Sequence, residues 1–134
     1  MFLFSTRWNF DDHRVASGLR RAKIKGLSIG GALVRRHAIR GIRHSPRSRP
    51  SAPGAPPHTR QGRLPRAILY ALAEENGNPV AVIGPSFDLI GLAGKAHEAG
   101  GRFRGIDFPP RPFMKPALDA AADRLPSIFE GTVK

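Results

Sequence analysis

The chain has 134 residues, no cysteine and a net charge of +12, which describes a single domain and excludes a disulfide framework or a thiolate metal site. Glycine and proline number 15 and 13, so turns and loops claim much of the chain, and no stretch approaches the ~20 apolar residues of a membrane span. The charge is lopsided: residues 1–66 carry fifteen Lys/Arg against Asp11 and Asp12, while residues 67–134 carry seven against eight carboxylates.

Residues 1–13 mix Phe2, Leu3, Phe4, Trp8 and Phe10. This apolar run is too short for a secretory signal, so a soluble protein made in a cytoplasm is expected. Trp8 and Phe10 are placed over a core edge or against a neighbouring subunit, or else belong to a loosely ordered terminus. Asp11 and Asp12 then mark a helix start, where acidic groups favour the positive end of the helix dipole. Two stripes at helical spacing follow. One is Val15, Leu19, Ala22, Gly26, Ile29 and Leu33; the other is Ile24, Leu27, Gly31, Val34 and Ala38. Gly26, Gly30 and Gly31 weaken the middle and predict two helices or one kinked helix. Arg36, Arg40 and Arg43 share a face by their i, i+4, i+7 spacing. With Arg47 and Arg49 they are candidates for a surface facing DNA or a subunit, against the plainer alternative of a solvated face.

The helical part is taken as 1–45. From 46 to 66 the material changes: Pro46, Pro50, Pro53, Pro56, Pro57 and Pro65 alternate with Arg47, Arg49, Arg60 and Arg63. Such a segment predicts an extended, polyproline-like, exposed arm with little contact to its own core, ordered by neighbouring subunits. From 67 to 134 two apolar runs, Ala67 to Ala73 and Val80 to Ile83, flank Asn76-Gly77, a strong hairpin signal. A short helix or irregular crossover over Phe87 to Ala96 comes next, then a strand over Phe103 to Phe108. Gly100 and Gly101 permit a sharp reversal before it. Arg111 precedes Pro112 and is biased towards an extended conformation, and Pro116 tolerates only a first helical turn, which starts the last helix near Phe113. Met114, Leu118, Ala121, Leu125 and Ile128 continue its apolar stripe, which Pro126 kinks or ends. The fold class predicted is α+β: a small antiparallel sheet with N-terminal helices and a C-terminal helix on one face, and a long Pro/Arg-rich loop.

His97, Glu98, Gly100 and Gly101, a short basic-aromatic stretch, then Pro109, Arg111, Pro112, Phe113, Pro116, Ala117 and Leu118 occur in an order that resembles the tail-completion proteins of long-tailed bacteriophages, the minor tail protein Z type and related virion-morphogenesis proteins. Upstream, Pro53, Gly54, Pro56, Pro57 and His58, followed by Thr59 to Leu64, are similar to a second segment of that group. The chain departs from the pattern at Ala99, where the family has an aromatic, and over Leu92 to Ala96, which lacks the usual Tyr-Ala. The resemblance implies a structural virion protein at the head–tail junction: a homo-oligomeric, hexameric ring that contacts other neck and tail proteins, with weak non-specific proximity to DNA and none to a membrane. A tail terminator or head-closure ring is the alternative within that class, and a small basic nucleic-acid-binding protein the alternative outside it.

Catalytic chemistry finds no support in the sequence. His97-Glu98 lacks the second histidine four residues on that a zinc protease helix needs, since position 101 is glycine. His13, His37, His44 and His58 have no metal-ligand spacing, and Gly26 to Gly31 lacks the lysine of a phosphate loop. No catalytic residue, cofactor or metal is therefore assigned; His97 and Glu98 are given hydrogen bonds at a turn or subunit contact.

Overall fold

The computed structural model describes residues 11–45 and 49–132; Trp8, Phe10 and Arg47 lie outside them. Its axis is one helix, α1 (Asp12–Gly41). Asp11 caps it, its carboxylate accepting the Arg14 N–H at 3.1 Å, and the chain turns extended at Ile42. The helix is unbroken, which corrects the first of the two alternatives, a pair of helices, and leaves a single helix. The three glycines are docking notches. A Cβ on Gly26 would lie 2.5 Å from the Phe129 ring, one on Gly30 3.1 Å from Leu125, and one on Gly31 2.9 Å from Tyr70. Propensity counted against them, but the side chains that occupy the missing Cβ positions bring two other elements onto α1.

Beyond α1, β1 (Arg43–His44) pairs in parallel with β2 (His58–Thr59), and α2 (Arg63–Ala67) leads into the hairpin. Its strands, β3 (Ile68–Glu75) and β4 (Asn78–Pro85), pair antiparallel with Glu75 opposite Asn78. Asn76 and Gly77 take φ of 50° and 76°, the left-handed pair that a two-residue hairpin turn requires. Two short helices follow, α3 (Phe87–Ile90) and α4 (Ala93–Ala99). The segment read as one strand over 103–108 is a second hairpin, β5 (Gly101–Phe103) with β6 (Ile106–Phe108), which turns at Arg104 and Gly105 with φ of 49° and 80°. The chain ends in α5 (Met114–Ala122) and α6 (Leu125–Glu130); Pro126 falls in the first turn of α6 and so separates the two helices. The fold is α+β, with its strands in separate two-stranded pairs instead of one sheet.

The core lies where the second half of α1 meets the hairpin base and α5: Leu33, Val34, Ala38 and Ile42 against Leu64, Ile68, Phe113, Ala117 and Ala121. Arg35 serves this joint rather than solvent, its Nε donating to the Ile68 carbonyl at 2.6 Å.

The segment 46–66 requires a correction. Its described residues are not a free arm. Pro57 is fully buried and Ser51 is 6 % exposed. Ser45 N–H donates to the Thr59 carbonyl at 2.9 Å, and Gly54 N–H to the Pro110 carbonyl at 2.8 Å. Pro65 sits in the first turn of α2, where its missing N–H costs nothing. The prolines do prevent long regular structure, but the freed backbone groups find partners on the protein itself.

Candidate functional site

The residues singled out in the second half meet at one joint. Helix α5 begins at Met114 with Phe113 as its N-cap, and Phe113 has no side-chain oxygen to cap with. The first turn therefore leaves N–H groups without intrahelical acceptors. Glu98, fifteen residues earlier at the end of α4, supplies the acceptors. Its Oε2 takes the N–H of Phe113 at 2.8 Å and of Met114 at 2.9 Å, and its Oε1 takes that of Lys115 at 3.0 Å. The next residue is Pro116, which has no N–H. One carboxylate and one proline thus account for the opening of the helix, and the negative charge sits at the positive end of its dipole.

The approach to this cap is fixed from three sides. The Arg111 N–H donates to the His97 carbonyl at 2.7 Å, and Arg111 Nε donates to the Ser51 carbonyl at 2.9 Å. Gly100 has φ +67°, and a Cβ there would lie 2.7 Å from the Pro110 nitrogen and 2.8 Å from the Phe108 carbonyl oxygen; only glycine lets the two backbones come this close. Gly101, at φ +123°, starts β5. Pro112 delivers the chain to Phe113, which is 2 % exposed beneath α1. His97, Glu98, Gly100, Gly101, Arg111, Pro112, Phe113 and Pro116 are therefore one unit, and its geometry is that of a rigid elbow.

The His97 ring lines an apolar cavity of about 430 Å³ with Ile90, Leu92, Ala93, Phe103 and Phe108. Burial, and then the positive charge of Arg111, hold its pKa below the usual histidine value. Glu98 spends both of its oxygens on the α5 backbone, so the pair is not arranged as base and orienting carboxylate. Among the described residues no group of three or more His, Cys, Asp or Glu could hold a metal ion, and no helix is long and apolar enough to cross a membrane.

The basic candidates are dispersed differently from the expectation. Arg36 and Arg40 are exposed on α1, but the helix ends at Gly41, so Arg43 belongs to β1 and not to a third helical position. Arg49 is exposed, and its carbonyl accepts from His58 Nδ1 at 3.2 Å. The β1–β2 register sets Arg43 beside His58. A depression of about 440 Å³ is lined by Arg40, Arg43, Pro56 and His58, and an adjoining one of about 550 Å³ by His58, Arg60, Gln61 and Arg63 on one side and Leu89, Ile90, Ala93 and His97 on the other. Arg60, Arg63 and His58 were not candidates, because only the parallel pairing of β1 with β2 brings them to the end of α1. No family model, curated protein or solved structure matches the chain.

Proposed function

We infer that this chain is a structural protein of a tailed bacteriophage virion, acting in tail completion as a ring of identical subunits at the head–tail junction. The phage assignment rests on the resemblance of the elbow and of the segment 53–64. The observation that carries self-assembly is the outer face of the hairpin. Leu69, Ala71 and Ala73 alternate with the residues that face α1, and lie opposite Gly84, Val82 and Val80. From Leu69 to Ala73 that face bears no charge, and Glu75 opposite Asn78 ends it at the turn. Leu69 and Val82 are 46 % and 59 % exposed. A two-stranded sheet with one face on a helix and the other apolar and open needs a cover, and a neighbouring subunit in a ring supplies one.

The elbow supports the same reading. It fixes the direction of α5 relative to α4 with main-chain and carboxylate bonds, which suits a part that must hold its shape under assembly. Native mass spectrometry of the purified protein, alone and with tail tubes, tests the proposal. A closed oligomer is expected for the parent, and a folded monomer for Val82→Glu with an unchanged melting temperature. A parent that stays monomeric under both conditions overturns it.

A further inference from the structure

We propose that the trough formed by the end of α1, the β1–β2 pair and α2 is a binding site for the phosphodiester backbone of duplex DNA, contacted through Arg40, Arg43, Arg60 and Arg63. The inference stands apart from the ring reading, because it rests on charge and geometry within one protomer.

The sequence from residue 13 to residue 73 contains fourteen Lys/Arg and no Asp or Glu. No local carboxylate is therefore available to neutralise the arginines that the fold collects here. Among the described residues the ion pairs are Arg20 with Glu74, Arg102 with Asp107 and Lys115 with Asp119, all elsewhere. Arg40, Arg43, Arg60 and Arg63 are exposed. They come from three segments, and the two depressions they line meet at His58.

The backbone beneath them is pinned. His44 Nε2 donates to the Arg60 carbonyl at 2.7 Å and His58 Nδ1 to the Arg49 carbonyl at 3.2 Å, a carbonyl being able only to accept. The Thr59 hydroxyl takes the Gly62 N–H at 3.0 Å, at the entry to α2. The cationic heads are thus presented on an ordered floor, and their guanidinium forks suit phosphate oxygens.

Two observations choose duplex DNA over other polyanions. No Phe, Tyr or Trp lines either depression, so the large ring faces on which runs of unpaired bases stack are lacking, and His58, which lines both, has its Nδ1 committed to the Arg49 carbonyl. A second copy of the chain is a poor match. Of its carboxylates, Glu74, Asp107 and Asp119 are in ion pairs and Glu98 is in the α5 cap. Asp11 caps α1, and Asp12, Glu75, Asp88, Asp123 and Glu130 are spread over separate parts of the chain. Contact through phosphates alone is independent of sequence and weakens steeply with salt.

The test is fluorescence anisotropy with two unrelated duplexes of about 20 base pairs over about 50–200 mM salt. It compares the parent, Arg40→Gln/Arg43→Gln/Arg60→Gln/Arg63→Gln, and a control of equal charge loss on the exposed N-terminal half of α1, Arg14→Gln/Arg21→Gln/Lys23→Gln/Lys25→Gln. The trough variant should lose about 100-fold in affinity at the low-salt end, and its log–log salt slope should shallow by about three and a half. The control should stay within about threefold of the parent, and the two duplexes should bind alike. Equal losses in both variants would mean that only net charge matters, and would overturn the site. So would a trough variant that binds like the parent, or a parent that ignores duplex and retains polyglutamate, which would make this a protein contact. If the fourfold variant melts early, Arg40→Gln/Arg43→Gln and Arg60→Gln/Arg63→Gln carry the same comparison, each with about half of the slope change. A monomer that binds duplex removes the ring and leaves the trough; a ring that ignores duplex does the reverse.

Discussion

Replacing Glu98 by alanine should unfold the start of α5 before anything else. The carboxylate accepts three backbone N–H groups, those of Phe113 and Met114 in part-buried positions and that of Lys115 at the surface. Water can take over the Lys115 N–H. The other two would be orphaned where water reaches poorly, at about 1–3 kcal/mol each. The charge at the helix N-terminus adds about 0.3–1 kcal/mol, so the sum runs from about 2 to 7 kcal/mol, and a loss of about 3 kcal/mol, towards its lower end, is expected because both positions are only part-buried. For a chain of this size each kcal/mol moves the melting temperature by about 3–4 °C, which predicts a drop of about 10 °C. Glu98→Gln keeps one accepting oxygen but turns an amide donor towards the remaining N–H groups, and should fall between parent and Ala. The assay is thermal unfolding followed by circular dichroism, with amide exchange as the local reading. Exchange at Phe113, Met114 and Lys115 should accelerate while the β3–β4 hairpin stays protected. An alanine variant that melts within about 2 °C of the parent would refute the hydrogen-bond account.

Phe113→Ala removes the side chain that fills the space between α1 and α5, and should cost about 3–5 kcal/mol in denaturant unfolding. A normally stable mutant that fails only to assemble would make Phe113 an interface residue instead. Gly100→Ala meets backbone atoms at 2.7 and 2.8 Å and an unfavourable φ together; a loss of at least ~2 kcal/mol is expected in the same assay, and an unchanged midpoint would mean that the elbow yields. His97 has a folded-state pKa below its unfolded value of 6.5, so the unfolded chain binds its proton first. Stability should be full above about pH 7, fall as pH drops through 6.5 and level off below the folded pKa. His97→Gln should flatten that part of a melting-temperature profile, and an unchanged profile would assign the dependence to another histidine.

Local chemistry made some elements legible and left others hidden. Asn76-Gly77 sets the first hairpin because two consecutive left-handed residues are needed there, and few other pairs provide them. Pro116 places the helix start for the same kind of reason, a missing donor that only a first turn forgives. The second hairpin was read as one strand, since Arg104 is not a residue that announces φ of 49°. In α1 the glycines predicted weakness because propensity is a property of the isolated helix; Tyr70, Leu125 and Phe129, far along the chain, give them their use. The sequence offers Glu98 as a motif residue with hydrogen bonds at a turn or subunit contact, and does not show which groups it bonds. Its partners are fifteen to seventeen residues away, a distance at which no capping pattern operates.

The segment 49–66 bears on where the subunits of the proposed ring would meet. Prolines argued for an arm that reaches a neighbour, yet the described part is committed to its own protomer at both ends. Arg43 and His44 hold it through the β1–β2 pairing, and Ser51 and Gly54 hold it through Arg111 and Pro110. To lend it to a neighbour would break the pairing and unseat Pro57, which is fully buried. It would also release the Arg111 anchor of the elbow. Those losses fall on the parts that fix α5, so an exchange would cost the fold as well as the interface. The outer face of the hairpin, uncharged from Leu69 to Ala73, carries no such obligation. Its inner face already holds Tyr70 against Gly31, and a partner can cover Leu69 and Val82 without undoing a bond of the protomer. The same reasoning separates the two surfaces: the apolar face of β3 and β4 is suited to protein, and the arginine trough at the end of α1 is left for a polyanion.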